Sequence, residues 1–259
     1  MTPLLALHGV SKRFGAVQAL SGVDFDVRAG EVVGLVGDNG AGKSTLVKVM
    51  SGIYLADQGE YRFDGSARHV RGPQDATALG VATVYQDLAL CDNLDVVANL
   101  FIGHEELSGG PARALRSLDE ASMEKQAAEL LKTLTVRLPS VRQEVGLLSG
   151  GQRQSVAIAR SLIGEAKVVL LDEPTAALGV AQTEQVLALI KRLREQGLGV
   201  VVISHNLANV FDVVDRIFVL RLGRKAGTYA VGETSQGEIV AAITGAEFGN
   251  GENGREKER

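Results

Sequence analysis

Two hydrophobic rhythms alternate along the chain. Val23, Phe25 and Val27 interleave with Asp24, Asp26 and Arg28, the period-two pattern of an antiparallel strand with one solvated face. Glu60-Tyr61-Arg62-Phe63-Asp64-Gly65 repeats that character and ends on a turn signal. Val32-Val33-Gly34-Leu35-Val36, Val168-Val169-Leu170-Leu171 and Val200-Val201-Val202-Ile203 are apolar on both faces, which predicts strands of a buried parallel sheet. Helical periods separate these runs. Ala127, Leu130, Leu131 and Leu134 fall at i, i+3, i+4 and i+7, as do Val186, Leu189, Ile190 and Leu193. Ser117 with Glu120, and Ser235 with Glu238, have the spacing of capping boxes.

This alternation predicts an α/β fold: a mostly parallel sheet core with an N-terminal antiparallel β subdomain. The stretch from about 87 to 157 is mostly helical, breaks the alternation and reads as an inserted α-helical subdomain. One domain is therefore expected over 1–248, followed by a Gly- and charge-rich segment, 249–259, expected to be disordered. No internal repeat is visible.

Composition narrows the class. At 259 residues, 45% hydrophobic and 22% charged, the chain can build a large core without staples. Cys91 is the only cysteine, which excludes a disulfide framework and suits a reducing compartment. No apolar run is long enough to cross a bilayer, and the first eight residues lack the basic start of a secretory signal. A net charge of -4 argues against a nucleic-acid partner.

The chemistry begins at Gly37-Asp38-Asn39-Gly40-Ala41-Gly42-Lys43-Ser44, with Thr45 next. The segment matches G-x-x-x-x-G-K-[ST], follows the apolar strand at Val32–Val36 and leads into a helical stretch, the context this phosphate-binding loop requires. Its glycines let backbone N–H groups converge on phosphates, and the helix N-terminus adds positive potential. Lys43 is expected on the β- and γ-phosphates of a nucleotide, and the Ser44 hydroxyl on Mg²⁺. Far downstream, Asp172 and Glu173 end an apolar strand, where open α/β sheets bind ligands. Asp172 is suited to hold the Mg²⁺ through water, and Glu173 to act as general base on the attacking water. Alone, that acidic pair is an ordinary polar strand end; with the phosphate loop it becomes the second half of a nucleotide site.

Leu148-Ser149-Gly150-Gly151-Gln152 precedes a helix expected over Arg153–Ile163. A hydroxyl and two glycines at a helix N-terminus make a second anion cradle without a lysine or a metal ligand. Closing it on another subunit's γ-phosphate would give it a use. At this point the sequence strongly resembles the ATP-binding cassette (ABC) family, whose signature is this string just upstream of the acidic strand. The resemblance covers about Leu4 to Gly245 and implies a P-loop NTPase fold of the ABC type. It also implies roles for three more residues: Gln86 as the glutamine that touches metal and water, His205 as the switch histidine on the γ-phosphate, and Phe14 as the aromatic stacked on adenine. By the same resemblance, two cassettes sandwich two ATP molecules head to tail, each between Lys43 of one and Ser149 to Gly151 of the other. One departure stands out. Family members often carry Ser-Ala-Leu-Asp after the acidic strand, whereas Gly179 here ends Thr175-Ala176-Ala177-Leu178-Gly179.

The segments Val84–Leu90 and Asn93–Gly103 resemble the ATP-binding subunits of bacterial monosaccharide importers of the ribose, xylose and fructose group. That implies an ATPase that energises permease subunits at the cytoplasmic face of the membrane, with an extracytoplasmic sugar-binding protein as an indirect partner. Many subunits of that group carry two cassettes in tandem; one is present here, so a homodimer, or a pair with another cassette, is expected. An exporter cassette is the nearest alternative, and a soluble cassette ATPase without a transport role is the other.

Overall fold

The strands form where the hydrophobic rhythm demands it. The computed structural model describes residues 2–109 and 117–246, so the expected tail at 249–259 lies outside the described residues. In chain order the first elements are β1 (Leu5–Phe14), β2 (Val17–Val27), β3 (Val32–Val36), α1 (Lys43–Met50), β4 (Gln58–Phe63), β5 (Ser66–Arg68), α2 (Pro73–Ala78) and β6 (Val81–Val84). A helical region follows, with α3 (Val96–Phe101), α4 (Glu120–Thr133) and α5 (Gly150–Arg160). The chain then returns to the sheet through β7 (Val168–Asp172), α6 (Val180–Glu195), β8 (Gly199–Ile203), α7 (Leu207–Val213), β9 (Arg216–Arg221) and β10 (Arg224–Ala230), and α8 (Gln236–Thr244) is last.

Two sheets result. The N-terminal one has four antiparallel strands in the order β2-β1-β4-β5, and its inner face buries Val23, Phe25 and Val27, as the alternation predicts. The other has six strands in the order β10-β9-β3-β8-β7-β6, parallel throughout except for the edge pair β9–β10. Its central strands are buried on both faces, and successive side chains feed opposite cores. Val32, Val169, Leu171, Val200 and Val202 join the core beneath the helical region. Val33, Leu35, Val168, Leu170, Val201 and Ile203 join the one shared with α1 and the antiparallel sheet. No helix among the described residues is long and apolar enough to cross a membrane.

Two local expectations shift. The cap of α4 is Asp119, whose side chain accepts from Ser122 N–H, rather than Ser117. Leu118 pairs with Leu107 in an isolated bridge, and the Ser117 carbonyl accepts from Ser108 N–H, so Ser117 is held outside the helix. The helix expected over Arg153–Ile163 begins at Gly150 and ends at Arg160. Glycine costs a helix about 1 kcal/mol relative to alanine, but here the Ser149–Gln152 cap and tight packing on α6 offset that. A Cβ on Gly151 would stand 2.9 Å from the Cβ of Gln182. The Ser235–Glu238 capping box is present at α8.

Candidate functional site

The site is built where three parallel strands deliver their C-terminal ends side by side. β3 runs into the Gly37–Ser44 loop, β7 ends at Asp172 with Glu173 next, and β8 leads through Ser204 to His205. With Gln86, just after β6, these line a cleft of about 570 Å³ that includes Asn39, Lys43, Ser44, Asp172, Glu173 and His205. Residues far apart in sequence converge because strand order places β8 and β7 on one side of β3, with β6 beyond them. Such a crevice at the carboxyl ends of parallel strands is the general ligand position of open α/β sheets.

Backbone conformation explains the loop's glycines. Gly42 caps α1 with φ of 104°, a left-handed geometry costly for residues with a Cβ, and a Cβ there would approach the Ala19 carbonyl at 2.6 Å. A Cβ on Gly37 would collide with the Leu220 carbonyl of β9. Lys43 Nζ donates to the carbonyls of Gly37 at 2.7 Å and Asp38 at 2.9 Å, so the amine spans its own loop. Burial pulls the Lys43 pKa below its ordinary value, while Glu173, Asp38 and Asp172 pull it back up.

Glu173 is pinned on two sides. Its N–H donates to the Ile203 carbonyl at 2.9 Å, and its Oε1 lies 2.9 Å from His205 Nδ1. Its φ is 51°, an unusual conformation for a non-glycine residue and of the kind that clusters at functional sites. The neighbouring Asp172 is half-buried, and burial, then the charge of Glu173, raises its pKa above the ordinary carboxylate value. Two adjacent carboxylates in such a place are relieved by a cation. Ser44, Gln86 and Asp172 line the same cleft with oxygen donors only, too few to encage a metal alone but suited to a hard divalent ion that keeps water and phosphate oxygens. The donor chemistry therefore fits Mg²⁺.

Ser149, Gly150, Gly151 and Gln152 stand elsewhere. Ser149 Oγ accepts from Gln152 N–H at 3.3 Å, Gln152 Oε1 accepts from Ser149 N–H at 3.0 Å, and Gln152 Nε2 donates to the Arg137 carbonyl at 3.2 Å. Ser149 and Gln152 line a separate depression with Arg137, Gln182 and Arg192, and no residue of that depression is shared with the Lys43 cleft.

Phe14 is 41% exposed, packs edge-on against Tyr54 with ring centroids 5.0 Å apart, and is not among the residues that line the cleft. Its register partner Val17, across the β1–β2 turn, does line it. Sequence reasoning missed Val17 and Leu222, which are 66% and 76% exposed and border the cleft. Val17 gave no motif signal. Leu222-Gly223 forms the turn of the β9–β10 hairpin, whose apolar run Ile217–Leu220 is readable in the sequence but whose distance from the phosphate loop is not.

A phosphate loop at a strand-to-helix junction, an acidic strand end and a detached glycine-rich helix cap define a nucleotide-binding cassette. A family model described as "ABC transporter" matches residues 20–176. The chain belongs to the ABC transporter family, as one of its ATPase cassettes. It is 45% identical over 246 residues to the fructose import ATP-binding protein FrcA of Rhizobium meliloti, covering 94% of this chain and 95% of that one. It is 42% identical over 249 residues to the xylose/arabinose import ATP-binding protein XylG of Sulfolobus acidocaldarius, covering 96% and 97%. Against the ribose import ATP-binding protein RbsA 1 of Rubrobacter xylanophilus it is 41% identical and covers 95% of this chain but only 48% of the relative, about half its length. Among solved structures it is similar to the ADP conformation of the ATP-binding cassette MJ1267, with a TM-score of 0.80 and 26% identity over 94% of this chain and 96% of that one. The dimeric, post-hydrolysis structure of the cassette MJ0796 bound to ADP and Pi aligns with a TM-score of 0.70 and 26% identity, over 88% and 98%.

Proposed function

We propose that this chain hydrolyses ATP to energise a permease that imports a monosaccharide, working as a head-to-tail pair of cassettes at the cytoplasmic face of the membrane. The observation that carries the reading is the separation of two complementary half-sites: Lys43, Asp172, Glu173 and His205 share one cleft, and Ser149 borders another. Two copies arranged head to tail would bring one chain's Ser149 edge over the other's cleft. The sugar comes from the relatives, which are a fructose import and a xylose/arabinose import ATP-binding protein and align with 94% and 96% of this chain.

In this reading Gly37 to Thr45 cradle the phosphates, with Lys43 released from its own loop carbonyls to bind the β- and γ-phosphates. Phe14 and Val17, neighbours across the β1–β2 turn, present an apolar edge for adenine at the mouth of the cleft. Ser44, Gln86 and Asp172 would hold Mg²⁺, which would supply positive charge to offset that of the phosphates. Glu173 takes the proton of the attacking water. His205, already hydrogen-bonded to Glu173, orients that carboxylate and contacts the γ-phosphate. The partner cassette completes the site with its own Ser149, Gly150, Gly151 and Gln152, and hydrolysis releases the pair. The permease spans the membrane, and a sugar-binding protein outside delivers cargo to it.

The test is to tag the Glu173→Gln form, load it with Mg·ATP in its native host and identify what copurifies from solubilised membranes. Recovery of a multi-span permease is the expected result. Recovery of only soluble partners overturns the transport reading and leaves the ATPase.

A further inference from the structure

Arg160 is the last residue of α5 and is half-buried, yet both of its side-chain partners are uncharged carbonyls. Its Nη2 donates to the Leu88 carbonyl and its Nη1 to the Ala89 carbonyl, each at 2.7 Å. Burial lowers its pKa from the ordinary guanidinium value, a desolvation cost that the two short charge-assisted bonds offset. The carbonyls it grips come two and three residues after Gln86. Ala89 adopts φ of 48°, so the loop bends there against the preference of a residue with a Cβ. The Asp87 side chain accepts from Ala89 N–H at 3.2 Å and adds a local tie. Further on, buried Asn99 closes the loop: it accepts from Cys91 N–H at 2.7 Å and donates to the carbonyls of Cys91, Leu94 and Asp95.

We propose that Arg160 is a positioning residue for Gln86: its fork holds the strained Leu88–Ala89 bend and so fixes where the Gln86 amide enters the cleft. The inference rests on the role given to Gln86 above. A planar guanidinium suits the task because its fork reaches two successive carbonyls at once, whereas a lysine ammonium is a single point of attachment. The helix that ends in Arg160 starts at the Ser149 cap. One rigid element therefore joins the loop after this chain's own Gln86 to the Ser149 edge offered to a partner. Displacement of α5 at either end is transmitted to the other.

The experiment measures steady-state ATP hydrolysis by the full chain for Arg160→Ala, Arg160→Lys, Gln86→Ala and the Arg160→Ala/Gln86→Ala pair, with thermal midpoints alongside. The expected result is a kcat about tenfold lower for Arg160→Ala, since small misplacements of a reacting group cost that much or more. KM for ATP is expected to stay within about twofold, because phosphate binding belongs to the Lys43 loop. Arg160→Lys should recover part of kcat. If Arg160→Ala does not fold, the Arg160→Lys kcat, intermediate at unchanged KM, carries the test. In the double variant Arg160→Ala should add little to Gln86→Ala, since residues acting through one another are non-additive. Full additivity overturns the proposal. A silent Arg160→Ala beside a damaged Gln86→Ala also overturns it and spares the role of Gln86. A silent Gln86→Ala overturns both.

Discussion

Glu173 Oε1 stands 2.9 Å from His205 Nδ1, joining the end of β7 to the segment after β8 across the mouth of the nucleotide cleft. The two side chains differ in exposure: Glu173 retains 17% of its side-chain surface and His205 retains 76%. The Glu173 backbone is thus fixed by its bond to Ile203 and its carboxylate by the imidazole, while the histidine stays largely exposed to solvent. Glu173→Gln keeps size and hydrogen-bonding capacity but cannot take a proton. Turnover is expected to fall by about 10²–10⁴-fold, the usual contribution of a positioned general base, with ATP still bound and the paired form accumulating. Single-turnover hydrolysis and size-exclusion chromatography check this. Parental turnover would remove Glu173 from its role.

Lys43 bridges the Gly37 and Asp38 carbonyls and lines the cleft, so its amine can exchange those carbonyls for a phosphate. Charge-assisted hydrogen bonds contribute about 1.5–3 kcal/mol each. Lys43→Ala is therefore expected to weaken ATP by about tenfold to a hundredfold in equilibrium titration. AMP, which lacks the outer phosphates, should lose little. An unchanged ATP affinity sinks the loop assignment.

How much of this was readable in the sequence depends on how local each feature is. The Gly37–Ser44 loop was legible because strand, glycines and helix are contiguous, and the collisions a Cβ would meet at Gly37 and Gly42 show why those positions are glycine. The buried strands were legible from their unbroken apolar runs. The α4 cap was misplaced because two acceptors, Ser117 and Asp119, compete within three residues, and the Leu107–Leu118 bridge decides between them. The contributions of Val17 and Leu222 were invisible because they depend on tertiary proximity alone. Arg160 is in the same position: nothing in its sequence neighbourhood announces two carbonyls more than seventy residues upstream.

Asp172 links stability to catalysis through pH. Its pKa is raised, by burial first and by Glu173 second, against the opposing charges of Lys43 and Lys48. A carboxyl raised in the folded state keeps its proton to higher pH than in the unfolded chain, so stability falls as pH rises from the ordinary carboxylate value through the raised one. The nucleotide-free chain should show that loss in thermal midpoints, and Asp172→Asn should reduce it while abolishing Mg²⁺-dependent hydrolysis. Such a trade is expected where a site stores unfavourable charge for function. Parallel pH profiles for the two proteins would refute it.

Ser149 lines none of the Lys43 cleft, so any contact between its hydroxyl and a nucleotide held by Lys43 requires a second chain. Because it also caps α5, Ser149→Ala would cost about 1 kcal/mol of stability and confuse the readout, whereas Asn caps as well as Ser. Ser149→Asn is expected to bind ATP normally as a monomer and to hydrolyse it slowly. Lys43→Ala has the reciprocal defect, with its Ser149 edge intact. In a head-to-tail mixed dimer, the Lys43 of the Ser149→Asn chain meets the intact Ser149 of the Lys43→Ala chain, which restores one complete site. With random pairing, half the dimers carry one good site of two, so an equimolar mixture should recover about a quarter of parental turnover. A mixture no more active than the sum of its separate parts would show that the Ser149 cap does not act on the neighbouring chain's nucleotide.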